Sequence, residues 1–472
     1  MRKTKIVCTI GPSTNSEEKL KELICAGMNV ARLNTSHEGV EVHSAVIDRI
    51  KKVRKELNRP VSILMDLSGP KIRTGTFSEE HVTLNEGDEF VLTTEKIVGN
   101  EKRVSINYSL LPREVKKGNI ILVDDGKLEL EVLSSDDKNI YTKIINGGTI
   151  THRRGVNIPG TEISIPAITE KDKLFIKLGI DKDVDYFAMS FVRTSKDVKL
   201  AKDTISEMGS DIPLISKIET KQALEYLEEI CELSDGIMVA RGDLGVEINV
   251  EEVPMAQRKI IYCANRERIP VITATQMLES MIDNPVPTRA EITDISNAII
   301  EGTDAIMLSG ETSIGKYPVE AVKVMVKTSL ATEKYLIRRN DLQSWVREGH
   351  KAENITEAIC EAVWKTSEKL NIKIIISSTY SGYTAINVSG FKPNMPILAI
   401  TPNERTYYRL PLIWGVFPML HDIGLKTDEI LSKVKEKAIQ ENLLQKGDLY
   451  IFTAGIPFGK TKSTNLLTIE SA

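Results

Sequence analysis

The feature that most constrains the fold is an alternation of short β-branched runs and amphipathic segments from Lys3 to about residue 337. The strand-like runs are 5–10, 29–36, 61–67, 186–192, 213–219, 236–241, 270–275 and 304–309. Helical periodicity fills 16–26, 40–57, 195–208, 220–230, 254–268 and 289–301. Ser16 and Thr220 offer hydroxyl N-caps for two of these helices. A strand, a crossover helix and a further strand return parallel, and eight such units favour a closed barrel over an open sheet. The expected fold class is α/β, a (β/α)8 barrel.

The alternation breaks once, after the third strand. Residues 76–153 turn to short strands and turn signals such as Asp124-Asp125-Gly126 and Asn146-Gly147-Gly148, with no long helix. An insertion in a βα loop stands over the barrel mouth, so a small β-barrel lid is expected there; a passive insertion is the competing possibility. Beyond residue 350 a separate α/β unit begins. The expected organisation is a barrel of 1–75 and 154–340, a lid of 76–153, and a C-terminal α/β regulatory domain of 341–472.

A length of 472 residues accommodates these units. The charge sum, 62 basic against 66 acidic residues, is −4, which argues against nucleic acid or an anionic membrane as partner. A polyanion site must therefore gather cations locally. No run approaches the ~18 apolar residues of a membrane span, and the opening segment reads as a strand rather than a signal peptide. Five scattered cysteines without a Cys-x-x-Cys pair fit reduced thiols in a cytoplasm.

In such a barrel the carboxyl ends of the strands face the active site. The second strand ends Arg32-Leu33-Asn34-Thr35-Ser36-His37, which puts Arg32, Asn34 and Ser36 on one face. A guanidinium beside an amide and a hydroxyl suits phosphate or carboxylate, although a polar strand end meeting solvent would read the same way. The fifth ends Lys217-Ile218-Glu219, a cation and a carboxylate on one face, and the sixth supplies Arg241-Gly242-Asp243. Glu219 and Asp243 could chelate Mg2+, and Gly242 lets the backbone approach a ligand. A structural Lys217–Glu219 salt bridge is the alternative, but desolvation makes it costly. The third strand gives Asp66 and then Gly69–Gly75; the seventh and eighth end near Thr275 and Glu311. Gly455–Thr461 looks like a Walker loop, but its spacer is one residue short and no helix follows.

The strings CTIGPS (8–13), NVARLNTSH (29–37), GPKIRTG (69–75), ISKIE (215–219), ARGDLG (240–245), TATQMLESM (273–281) and IMLSGETS (306–313) together resemble the pyruvate kinases over essentially the whole chain. The resemblance implies the same barrel, lid and C-terminal domain, without the extra C-terminal module of some bacterial members. It implies phosphoryl transfer between phosphoenolpyruvate and ADP, giving pyruvate and ATP in glycolysis. Arg32, Lys217, Gly242, Asp243 and Thr275 are then the substrate contacts, with Arg32, Lys217 and Thr275 catalytic. Glu219 and Asp243 hold Mg2+ (or Mn2+). Asn34, Thr35, Ser36, His37, Arg73 and Arg154 lie on the nucleotide side, and Arg154 stands where the family usually has lysine.

Potassium-dependent members read Asp-Thr-Lys-Gly-Pro-Glu where this chain reads Asp66-Leu67-Ser68-Gly69-Pro70-Lys71. An ammonium at Lys71, placed among Asn34, Ser36, Asp66 and Leu67, is expected to replace K+. In the C-terminal unit, Thr379, Ser381, Gly382 and Thr384 at a strand-to-helix turn, with Lys460 and Lys462, are similar to the family's effector site. AMP or a sugar phosphate is the expected effector, with plain turn chemistry as the alternative, and a homotetramer is the family expectation. Two rival functions are a metal-dependent 2-oxo-acid lyase and a non-catalytic phosphometabolite sensor. The lyase leaves the lid unexplained, and the sensor predicts a broken Lys217, Glu219 or Asp243, all of which are present.

Overall fold

The computed structural model describes residues 1–161, 163–339, 352, 354–421, 427–456 and 463–472. Eight strands close the barrel: Lys5–Thr9, Val30–Asn34, Ser62–Leu67, Tyr186–Met189, Leu214–Ile218, Gly236–Ala240, Val271–Ala274 and Ala305–Leu308. Neighbours pair in chain order, all parallel, and the first strand pairs with both the second and the eighth. Each lies on an expected run. Parallel strands covered by helices are apolar on both faces, so Val7, Leu64, Ile215, Met238 and Ile272 fill the interior while Ile6, Ile63 and Ile237 pack outward.

Helices follow where caps and periodicity agree. Ser16 and Thr220 accept from the backbone N–H of Lys19 and Ala223. The helix expected over 220–230 divides at Tyr226, whose backbone leaves helical geometry, into Lys221–Glu225 and Leu227–Leu233. Two helices escaped the periodicity: Glu170–Asp181, fixed by a Thr169/Asp172 capping box, and Pro318–Arg339.

The insertion has its own core, from Ile72 and Phe77 to Val156 and Ile158. It contains a six-stranded sheet and the two-stranded pair Val82–Leu84/Gly148–Ile150. The six-stranded sheet ends on Val156–Asn157, in the return segment to the barrel. The two connecting segments hydrogen-bond to each other, Thr74 N–H to Arg154 O at 2.8 Å and Val156 N–H to Ile72 O at 2.9 Å. They form a two-stranded stalk.

The C-terminal unit is a five-stranded sheet in the order Val416–Leu420, Ile397–Thr401, Ile372–Ser378, Leu449–Ala454, Leu466–Ser471. Only the last pair is antiparallel. Leu466–Ser471 is thus a strand where a Walker loop needs a helix; residues 457–462 of that motif lie outside the described residues. No helix among the described residues is long and apolar enough to cross a membrane, and all five cysteines are free.

The C-terminal unit abuts the amino end of the first barrel strand. There the buried Lys5 Nζ donates to Val416 O at 2.5 Å and lies 4.5 Å from the Phe417 ring. Burial, reinforced by Arg2 and opposed by Glu333, lowers the Lys5 pKa from 10.5 to about 7. Between those values the folded chain binds fewer protons than the unfolded one, so Lys5 penalises folding at low pH and the penalty fades as pH rises. Urea unfolding is expected to show the parent gaining stability relative to Lys5→Met between about pH 7 and about pH 10. A constant difference across that range contradicts this.

Candidate functional site

Three strand ends, the second, third and fifth, deliver one buried charge cluster. Asp66, on the third strand beside Asn34 of the second and Ala188 of the fourth, receives Arg32 Nε at 2.7 Å on Oδ2. Lys217 Nζ stands 3.3 Å from Asp66 Oδ1, 2.8 Å from Glu219 Oε1 and 2.7 Å from Ser190 Oγ. Thr9 Oγ1, at the end of the first strand, accepts from Arg32 Nη1 at 2.8 Å. Arg32, Asp66, Lys217 and Glu219 are all more than nine-tenths buried. A buried charge survives only when paired and hydrogen-bonded, and here each is.

The protonation states follow from this pairing. Burial opposes the Asp66 carboxylate, but Lys217 and then Arg32 outweigh it and hold the acid below its ordinary range. Burial likewise works against the Lys217 ammonium, yet Asp66 and Glu219 push its pKa above the usual lysine value. Lys217 is a fixed cation at neutral pH. Burial raises the Glu219 acid, Lys217 opposes, and the charge of Asp243 raises it again. Glu219 and Asp243 therefore lie near enough for their charges to repel.

Both acids were expected on strand ends. Glu219 lies one residue past the fifth strand, but Asp243 stands in the first turn of the helix Arg241–Glu247, because the sixth strand stops at Ala240. Among the described residues no group of three or more His, Cys, Asp or Glu could cage a metal. Glu219 and Asp243, two carboxylates close enough for their charges to act on each other, are a donor pair that fits an ion such as Mg2+, which takes few protein ligands and keeps waters.

Thr275 is held in an unusual backbone state. Its φ is +67° and that of Gln276 is +55°, costly for a β-branched residue and a tell-tale of functional geometry. The hold comes from the sixth strand's loop. Gly242 N–H donates to Thr275 Oγ1 at 2.8 Å, and Arg241, anchored on Asp294 at 2.7 Å, donates to the Thr275 carbonyl. Gly242 thus lies beside Thr275, as expected of two residues sharing one ligand. A Cβ at Gly242 would meet Thr275 only at ordinary contact distance, so space alone does not demand the glycine.

The remaining residues divide. Asn34 Oδ1 accepts from Ser36 N–H at 3.1 Å, forming a tight turn at the rim. Thr35, by contrast, is buried and its hydroxyl donates to Asp66 O at 2.9 Å, so it serves the scaffold. His37 presents its carbonyl to His43 Nε2 at 2.9 Å. Arg73 and Arg154 lie in the stalk, Arg73 bonded to Arg153 O at 3.2 Å and Arg154 paired with Asp124 at 3.3 Å. Lys71 departs from expectation. It was placed among Asn34, Ser36, Asp66 and Leu67, but its ammonium pairs with Asp243 Oδ1 at 3.4 Å, while Arg32 and Lys217 pair with Asp66.

Ser190 and Phe191, whose N–H donates to Glu219 Oε2 at 2.7 Å, were not anticipated. Ser190 could have been found, since it directly follows the fourth strand, at the same rim where Thr9 ends the first. In the C-terminal unit Gly382 takes φ +86° before the helix Tyr383–Gly390, and Thr384 Oγ1 bonds Thr464 Oγ1 at 2.8 Å. Thr379 is buried and Ser381 exposed, while Lys460 and Lys462 lie outside the described residues.

A closed (β/α)8 barrel with gathered cations and acids at its carboxyl rim defines an enzyme for a small anionic substrate. The model of the pyruvate kinase barrel domain matches residues 1–322, and that of the pyruvate kinase alpha/beta domain matches residues 357–470. A pyruvate kinase of Thermotoga maritima is 50% identical over 469 residues, 99% of either chain. Those of Sporosarcina psychrophila and Geobacillus stearothermophilus are 45% and 44% identical, covering 100% and 99% of this chain and 80% of their own. The chain belongs to the pyruvate kinase family and is a phosphotransferase.

Asp66 is the shared anion of this cluster. Asp66→Asn keeps its shape but leaves Arg32 and Lys217 under-compensated, a change expected to cost about 3 to 5 kcal/mol in chemical unfolding. A loss below about 1 kcal/mol, the size of an exposed pair, would contradict that role.

Proposed function

We propose that the chain transfers the phosphoryl group of phosphoenolpyruvate to ADP, giving pyruvate and ATP. The observation that carries this is the buried Lys217 ammonium, kept charged by Asp66 and Glu219 beside the guanidinium of Arg32. Phosphoryl transfer needs in-line positioning and neutralisation of spreading negative charge more than covalent help. Arg32 and Lys217 bind the phosphoryl oxygens, with Lys217 poised at the transferring group. Thr275, held in place by Gly242 and Arg241, sits beside the carbon that must gain a proton. Glu219 and Asp243 hold Mg2+ (or Mn2+), which when bound supplies positive charge opposite the developing enolate. Asn34, Ser36, His37, Arg73 and Arg154 take the nucleotide side. Closure of residues 76–153 excludes water from the transferring group.

Lys71 supplies the charge that K+ supplies in other members, so activity is independent of K+. Its ammonium pairs with Asp243 and, released when the divalent ion takes that carboxylate, reaches anionic substrate oxygens. The turn at Thr379–Thr384 receives a phosphorylated effector such as AMP or a sugar monophosphate, and Gly382 at the N-terminus of an eight-residue helix supports that reading. The active form is a cytoplasmic homotetramer. Seven family strings and an intact Lys217, Glu219 and Asp243 favour this over a lyase or a non-catalytic sensor.

A coupled assay for pyruvate from phosphoenolpyruvate and ADP tests these points together. Turnover is expected with Mg2+, is abolished by chelation, and changes less than twofold when K+ replaces a large organic cation. Added AMP or sugar monophosphate shifts the phosphoenolpyruvate saturation curve. No pyruvate under any of these conditions defeats the assignment, and a steep rise with K+ defeats the role given to Lys71.

A further inference from the structure

The stalk of the inserted unit makes polar contacts with one face of a rim helix. Asp243 and Glu247 lie four residues apart on the helix Arg241–Glu247, and residues at that spacing are neighbours on one side. Each takes hold of a different strand of the stalk. Lys71 of the outgoing strand pairs with Asp243 at 3.4 Å, and Asn157 of the returning strand donates from Nδ2 to Glu247 Oε1 at 3.0 Å. Because the two strands are bonded through Val156 N–H to Ile72 O and Thr74 N–H to Arg154 O, gripping one restrains both. Around these contacts lies a cavity of ≈ 310 Å3 bordered by Lys71, Asn157, Phe191, Lys221, Tyr226 and Glu247. Here the stalk is held at discrete polar points, not by continuous packing.

The two grips differ in kind. The Lys71–Asp243 pair is part-exposed and long, so it is weak, and a divalent ion at Asp243 competes with it directly. The Asn157–Glu247 bond involves no residue proposed to hold the ion. Glu247 is itself largely buried, and burial raises its pKa while the bond from Asn157 opposes that rise. One carboxylate therefore links the stalk to the helix of Asp243.

We propose that Asn157 and Glu247 are positioning residues that register the stalk against the helix bearing Asp243, and so keep that acid in place when the ion displaces Lys71. This rests on Glu219 and Asp243 holding the divalent ion.

The test uses the full-length chain with two readouts, neither of which is activity. Amide hydrogen exchange at Thr74 and Val156 reports the stalk. Mn2+ binding without substrate, followed by electron paramagnetic resonance, reports the acids. Losing one hydrogen bond of ordinary strength in Glu247→Leu or Asn157→Leu is expected to speed stalk exchange about five- to tenfold and to weaken Mn2+ binding severalfold, with barrel strands protected as before. Glu247→Gln, whose amide oxygen still accepts from Asn157, restores parental behaviour in both. Should Glu247→Leu not fold, Asn157→Leu and Glu247→Gln still decide. Parental stalk exchange and parental Mn2+ binding in the folded leucine variants overturn the proposal. If instead Asp243→Asn binds Mn2+ as tightly as the parent, the metal reading falls, and stalk exchange still decides whether the clasp exists.

Discussion

One carboxylate shared by two cations holds the site together. Asp66 lies on the third strand with Arg32 on one oxygen and Lys217 on the other, and none of the three can be moved without leaving a buried charge exposed to an apolar interior. That constraint fixes the faces of the second, third and fifth strands relative to one another. It also explains why Lys217 keeps its proton while buried. An ammonium that survives burial only because two acids flank it is held ready for an anion.

The barrel makes this arrangement affordable. Closure places eight strand ends on one rim, so residues distant in sequence, such as Arg32, Ser190 and Lys217, meet with backbones fixed by parallel pairing. Rigidity also sustains the left-handed backbone at Thr275 and Gln276, because Arg241 and Asp294 pin the Thr275 carbonyl from the neighbouring loop. The inserted unit has its own core and is joined to the rim through its stalk.

Much of this was legible in the chain. Each barrel strand is a β-branched run, and a two-residue period put Lys217 and Glu219 on one face, where they bond at 2.8 Å. The helix carrying Asp243 was not legible, since Arg241-Gly242-Asp243-Leu244-Gly245 holds two glycines that read as a turn. Nor was the direction of Lys71. Its neighbours in sequence pointed to Asp66, but electrostatics decides by what is already neutralised, and Arg32 and Lys217 had taken Asp66. The role of Phe191 lies in a backbone N–H at positive φ, and no side-chain identity announces that.

The central claim is that the Lys217 ammonium neutralises charge in the transfer step itself. Rapid-quench single turnover with saturating phosphoenolpyruvate and ADP isolates that step from binding and release. For a Lys217→Met variant that unfolds with ordinary cooperativity and still binds Mn2+, transfer slowed about a thousandfold or more is the outcome predicted by electrostatic stabilisation of this kind. Transfer at the parental rate would contradict the account.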